Sequence, residues 1–201
     1  MVQRIKYGLW VAAPFLLLIL VILWMFFRPS THSLGLSAPP EGGDFKVIST
    51  HGTHDLSDFR GKVSILYFGY TYCPDVCPTS LGILAQTLNQ LSDDELKQVQ
   101  PIFISVDPER DTPERLQQYA HYFHPAIMGA TNTPQDIASI AQQYGVAYAK
   151  AELTNSAMGY SVDHSSFTYL VDKNGILKDI VLHGTPANEL KLKIRALLGE
   201  N

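Results

Sequence analysis

The stretch from Lys62 to Leu81, KVSILYFGYTYCPDVCPTSL, holds both cysteines of the chain and sets them just after an apolar, β-branched and aromatic run. Val63 to Phe68, followed by Gly69, reads as a buried strand ending in a tight connection. The next strong signal is a helix beginning near Pro78. Cys73 and Cys77 are therefore expected in the strand-to-helix loop and the first helical turn. There, unpaired backbone N–H groups and the helix dipole favour an anion, and such surroundings lower a thiol's pKa toward a reactive thiolate.

Upstream, Gly8 to Phe27 carries no charge and is mostly Leu, Ile, Val, Phe and Trp, which is the length of a membrane span. It is too long for the core of a cleavable signal peptide, and no small-residue cleavage site follows Arg28. Residues 1–28 are therefore expected to be an uncleaved anchor, with Trp10 and Trp24 at the two interfaces. Arg4 and Lys6 precede the span and only Arg28 follows closely, so the N-terminus is expected in the cytoplasm and the rest outside it. Residues 29–44 are rich in Ser, Gly and Pro and read as a flexible tether. Residues 45–201 then form one globular domain.

Without Arg4, Lys6 and Arg28, 12 Lys and Arg remain against 19 Asp and Glu. A nucleic-acid partner is excluded on that balance, because phosphate binding needs a basic surface. Outside the inner membrane two thiols are open to oxidation, so their redox state must be managed.

Phe45 to Ser49 and Asp55 to Phe59 flank a His-Gly-Thr-His turn, an N-terminal hairpin in outline. Pro78 to Gln90 keeps the helical period, and Ser92-Asp-Asp-Glu95 is a capping pattern. Val99 to Val106 is a strand, after which Thr112-Pro113 and Thr133-Pro134 open helices ending near Phe123 and at Gly145. Val146 to Glu152 is strand-like, Thr154 to Ser161 a loop. Phe167 to Val171 and Ile176 to Leu182 flank Lys173-Asn-Gly175 as a hairpin, and Thr185-Pro186 opens a last helix. This order predicts an α/β fold: a thioredoxin-like mixed sheet with flanking helices and an extra N-terminal β-hairpin, preceded by one transmembrane helix.

Cys73 and Cys77 are four positions apart, which on a helix puts both sulfurs on one face. Such a pair forms a disulfide, or as thiolates binds a soft metal such as Cu(I). Two sulfurs alone make a poor buried site. Among the seven histidines, His164 sits just before a strand, in the loop where dithiol enzymes of this fold keep a cis-proline. The chain has no proline between Pro134 and Pro186. His164 is thus either a third ligand or a hydrogen-bonded loop histidine. His121 and His124 suit a helix C-terminus, His32, His51 and His54 read as solvated, and His183 ends a strand near the last helix. Asp75, between the cysteines, reads either as the cap of the helix start, the role its residue type favours, or as a group that tunes the thiols.

Three segments, Phe68-Gly-Tyr-Thr-Tyr-Cys-Pro-Asp-Val-Cys-Pro78, Val106-Asp-Pro-Glu-Arg-Asp-Thr112 and Val162-Asp-His-Ser165, together resemble the Sco/SenC family of membrane-anchored, thioredoxin-like copper proteins. The resemblance implies copper, as Cu(I) or Cu(II), held by Cys73, Cys77 and His164. It also implies assembly of the dinuclear copper centre of cytochrome c oxidase subunit II. That task is done either as a metallochaperone or as a thiol:disulfide oxidoreductase in which Cys73 and Cys77 reduce the subunit's cysteines. A periplasmic thiol reductant and a copper donor are then implied partners. The implied location is the bacterial inner membrane, single-pass, with the domain facing the periplasm. The acidic loop from Asp107 to Asp111 is expected to support the site, dock a partner, or merely start a helix.

Overall fold

The structure is a computed structural model and describes residues 40–154 and 158–199. The expected membrane span, and the tether up to residue 39, lie outside the described residues. Among the described residues no helix is long and apolar enough to cross a membrane.

The chain enters through a hairpin, β1 (Lys46–Ser49) and β2 (Gly52–Asp55), followed by a 3-10 turn over Leu56–Phe59. The expected second arm, Asp55 to Phe59, is thus that 3-10 turn. Asp55 and Asp58 cap it reciprocally, while Gly52, at φ 110°, lets the chain reverse two residues earlier. At the end of the expected tether the chain is already held. Gly42 N–H donates to Gln143 O at 3.3 Å, the Tyr144 hydroxyl donates to Gly43 O at 2.8 Å, and Arg60 pairs with Asp44 at 2.7 Å.

β3 (Val63–Gly69) is buried along its whole length, as expected of an uninterrupted apolar run in the middle of a sheet. It leads into α1 (Val76–Leu88), the short α2 (Asp93–Lys97), β4 (Val99–Ser105), α3 (Pro113–Phe123), β5 (Met128–Ala130) and α4 (Pro134–Tyr144). The remaining elements are β6 (Tyr148–Glu152), β7 (Tyr160–His164), β8 (Thr168–Val171), β9 (Leu177–Val181) and α5 (Ala187–Gly199). The main sheet runs β5-β4-β3-β8-β9, with β3, β4 and β5 parallel and β8 and β9 antiparallel to their neighbours. This is the mixed sheet that the element order predicts.

Its core is Val63, Ile65, Leu66 and Phe68 of β3 with Ile102, Phe103 and Ile104 of β4, all at 1% exposure or less. Each such side chain contributes about 1.5–3 kcal/mol over its exposed state. Helix starts behave as read: Ser92 and Glu95 form a reciprocal capping box, and Thr112 and Thr133 accept from the N–H groups of Arg115 and Asp136 ahead of Pro113 and Pro134. Gly145 closes α4 at φ 66°, in the left-handed region.

One strand was not predicted. β7 occupies residues expected to be loop and pairs only with β6, from Tyr148 opposite His164 to Glu152 opposite Tyr160. The two make a ribbon outside the main sheet, of which Val162 alone is buried in β7. His164 is therefore the last residue of a strand rather than part of a loop.

Candidate metal centre

α1 begins at Val76, two residues before the expected Pro78, so Cys77 lies in its first turn and Cys73 in the loop after β3. Asp75 stands at the N-cap position, yet its side chain makes no capping hydrogen bond and is exposed. The expected capping role is not realised, since the φ of −139° and ψ of −73° at Asp75 are not those of a capping residue.

Neither Cys73 nor Cys77 forms a disulfide, and they are 8% and 0% exposed. The room for the inner sulfur comes from Gly69, at the end of β3. A Cβ there would lie 2.5 Å from Cys77 Sγ and 2.9 Å from Phe103 Cε2. No other residue type leaves that space, a requirement distinct from the tight connection read at this glycine.

His164 reaches the pair from β7, with Nε2 3.3 Å from Cys77 Sγ. Its other nitrogen, Nδ1, lies 3.0 Å from the carbonyl oxygen of Ser165. A carbonyl only accepts, so Nδ1 carries the proton and Nε2 turns its lone pair toward the sulfurs. Ser165 is itself fixed, its N–H donating to Ala147 O at 2.8 Å and its hydroxyl accepting from Ala147 N–H at 3.0 Å. The rings of Tyr67 and Tyr70 stand edge-on to the imidazole, at 6.5 and 5.7 Å between centroids. Sγ of Cys73, Sγ of Cys77 and a ring nitrogen of His164 all lie within 4.8 Å of one another.

Electrostatics divide the two sulfurs. The hydrogen bond from Cys77 holds the Cys73 thiol down to about 3 against its burial. The helix-start N–H groups of Asp75 and Cys77 add to the effect. Cys77 is pushed up, first by that same hydrogen bond, then by burial and by the charge on Cys73. Reduced, the pair is one outer thiolate and one inner thiol sharing a proton. Burial, and then the charge on Cys77, push the Tyr67 hydroxyl up, so it stays protonated and bonds Val76 O at 3.3 Å.

The loop carrying Cys73 is tied down by Asp111, which is 1% exposed. Its carboxylate accepts from the Thr71 N–H at 3.0 Å, the Thr71 hydroxyl at 2.5 Å and the Ser105 hydroxyl at 2.7 Å. In the loop from Asp107 to Asp111, this residue supports the Cys73 loop through its hydrogen bonds to Thr71. The remaining histidines stay apart. His183 Nδ1 meets the Ser80 hydroxyl at 2.9 Å, His54 meets Ser49 at 3.0 Å, and His124 accepts from Ala126 N–H at 3.1 Å. His121 bonds Gln117 on α3, and His32 lies outside the described residues.

Two soft sulfurs and an imidazole with its lone pair preset are a donor set suited to a soft cation such as Cu(I). Zinc prefers four ligands, and among the described residues no fourth His, Cys, Asp or Glu joins the group.

A family model described as SCO1/SenC matches residues 35–199. An SCO2-like protein of Rickettsia conorii is 41% identical over 147 residues, which are 72% of this chain and 71% of that protein. The apo Sco1 protein of Thermus thermophilus superposes with a TM-score of 0.72 at 38% identity, covering 79% of this chain and 92% of that one. Arabidopsis thaliana ScoI, solved with copper bound, gives 0.72 at 36% identity over 78% of this chain and 97% of its own.

Proposed function

The chain belongs to the SCO1/SenC family, and on that premise we propose that it is a copper-binding metallochaperone for the dinuclear copper centre of cytochrome c oxidase subunit II. The observation that carries this reading is the meeting of Cys73 Sγ, Cys77 Sγ and a His164 ring nitrogen within 4.8 Å, with the imidazole's lone pair preset toward the sulfurs. Copper is cargo here. Three ligands satisfy it while leaving a position at which an acceptor's thiolate begins the exchange. Cys73, the outer thiolate, is the first contact for incoming copper. Uptake then displaces the proton held on Cys77, so affinity rises with pH.

The same asymmetry favours one second reading, a thiol:disulfide oxidoreductase acting on the subunit's cysteines. An outer thiolate beside a protonated inner thiol is the arrangement for attack on a disulfide and resolution by the partner sulfur. In both readings the working form is reduced, which calls for a thiol reductant, and the first also calls for a copper donor. Residues 1–28 anchor the protein in a bacterial inner membrane, the residues from 29 to 39 form the tether, and the domain, to which Gly42, Gly43 and Asp44 are already bonded, works in the periplasm.

Copper titration of the reduced full-length chain in detergent tests the chaperone reading. One copper per chain is expected for the wild type and none for Cys73→Ser/Cys77→Ser. Copper retained by the double variant overturns it.

A further inference from the structure

The loop between β4 and α3 carries a second cluster that copper binding does not use. Arg110 Nε donates to Asp107 Oδ2 at 2.5 Å, and Nη1 donates to the carbonyl oxygens of Tyr160 at 2.9 Å and Met158 at 3.2 Å. Its guanidinium lies 3.6 Å from the centroid of the Tyr160 ring, and the Tyr160 hydroxyl donates to the other carboxylate oxygen, Asp107 Oδ1, at 2.8 Å. Carboxylate, guanidinium and phenol close a ring across the start of β7. It is largely out of solvent, with the Asp107 side chain at 0% exposure and that of Arg110 at 15%.

Side chains alternate along a strand, so Tyr160, Val162 and His164 share one face of β7. Arg110 and Asp107 grip the first of them. The N–H of the second, Val162, donates to the Tyr70 hydroxyl at 3.2 Å, and the guanidinium of Arg110 lies 5.7 Å from the Tyr70 ring centroid. The third faces Cys77. β6 and β7 form a two-stranded ribbon outside the main sheet, and a lone ribbon is marginal in water. Contacts such as these, rather than sheet hydrogen bonds, hold its place against the cysteine loop.

We propose that Arg110, oriented by Asp107, is a positioning residue that clamps β7 so that His164 Nε2 stays against the cysteine sulfurs. The ring is built from a planar, forked donor stacked on an aromatic face, a geometry lysine cannot reproduce. Nothing in the cluster bonds either sulfur directly, so its effect on the metal passes through His164. A helix start at Pro113 needs none of it, because Thr112 caps that helix. This inference rests on the copper reading above.

The test is a double-mutant cycle on the reduced full-length chain in detergent, with Cu(I) affinity measured by competition against a chromophoric chelator. Arg110→Met keeps the stem and removes the charge and donors. It is expected to weaken Cu(I) binding by about tenfold to a hundredfold, as outer contacts of a metal site do. Arg110→Lys is expected to recover part of that loss. In a His164→Ala background, Arg110→Met should cost nothing further, since the residue through which it acts is gone. The 15N resonance of His164 Nε2 in the copper-free protein should also move on Arg110→Met. Tyr160→Phe, which removes a single hydroxyl and keeps the ring, should show a smaller effect of the same kind and serves if Arg110→Met does not fold. Unchanged affinity in Arg110→Met and Tyr160→Phe, or equal losses with and without His164, overturns the proposal. Copper binding unchanged by His164→Ala overturns the underlying copper site instead, and so separates the two failures.

Discussion

Asp111 accepts hydrogen bonds from both the backbone N–H and the hydroxyl of Thr71, residues 40 apart in the chain and two positions ahead of Cys73. A carboxylate in the loop after β4 thereby fixes the loop that follows the neighbouring strand, β3. Asp111→Ala leaves the Thr71 N–H and the Ser105 hydroxyl without their acceptor. The expected loss is about 2–3 kcal/mol of stability, read from the urea midpoint of the reduced chain. Copper affinity should fall with it, because Cys73 follows the loop. An unmoved midpoint refutes the tie.

Where the sequence was read correctly, the signals were local. The unbroken apolar run of β3, the Thr-Pro starts of α3 and α4 and the Gly145 cap all stand where periodicity and capping chemistry put them. The misreadings were of residues whose roles are settled by distant partners. Tyr160, Val162 and His164 alternate with Ser161 and Asp163, but only Val162 is buried, so a half-exposed ribbon carried too little apolar period to read as a strand. Asp75 has the right type for a cap and the wrong backbone for one. Gly69 ends β3 where the sequence puts the end of the strand, but the space its missing Cβ leaves for a sulfur eight residues on had no local signal. No local signal marks Asp111 as the acceptor for Thr71. The meeting of Cys73 and Cys77 was legible in their spacing, whereas spacing left His164 open between ligand and loop histidine, and only the family resemblance placed it beside them.

Gly69→Ala tests the packing of the inner sulfur. The new methyl would sit 2.5 Å from Cys77 Sγ and 2.9 Å from Phe103 Cε2, so one of them must move. Overpacking of this kind costs about 1–3 kcal/mol. The expected variant folds with a lowered melting temperature and binds Cu(I) more weakly, both measurable on one sample by thermal scan and chelator competition. Wild-type copper affinity would show that Cys77 Sγ does not need its place.

The division of charge between the sulfurs predicts a pH profile. With its folded pKa held down to about 3, Cys73 is a thiolate throughout the neutral range. Its alkylation by iodoacetamide should stay nearly flat from about pH 5 to 8, where an ordinary thiol, with a pKa near 8.5, gains roughly tenfold per unit. For stability the sign follows from proton counts. Cys73 is depressed on folding, so its contribution is complete above about 8.5 and drains away as pH falls toward about 3. Cys77 is raised, so its contribution is complete below about 8.5 and is lost above that value. The stability difference between the reduced wild type and Cys73→Ser/Cys77→Ser should therefore peak near pH 8.5. A Cys73 alkylation rate that climbs through pH 5 to 8 refutes the assignment.

The decisive comparison separates copper delivery from thiol reduction. His164→Ala removes one ligand and leaves the sulfurs, Gly69 and the helix start untouched, so the Cys73–Cys77 redox couple should stay close to that of the wild type. Copper retention should nevertheless fall sharply, because water, a hard ligand, replaces an imidazole badly on Cu(I). A delivering protein of this kind fails to assemble the oxidase in copper-poor medium and partly recovers when copper is added. A reducing protein behaves differently, since its chemistry needs only the sulfurs: His164→Ala then assembles oxidase normally, and Cys73→Ser fails at every copper level. Oxidase activity of membranes from cells carrying each variant, grown across a copper series, reads both outcomes at once. Full activity of His164→Ala at the lowest copper would replace the chaperone reading by the reductase one.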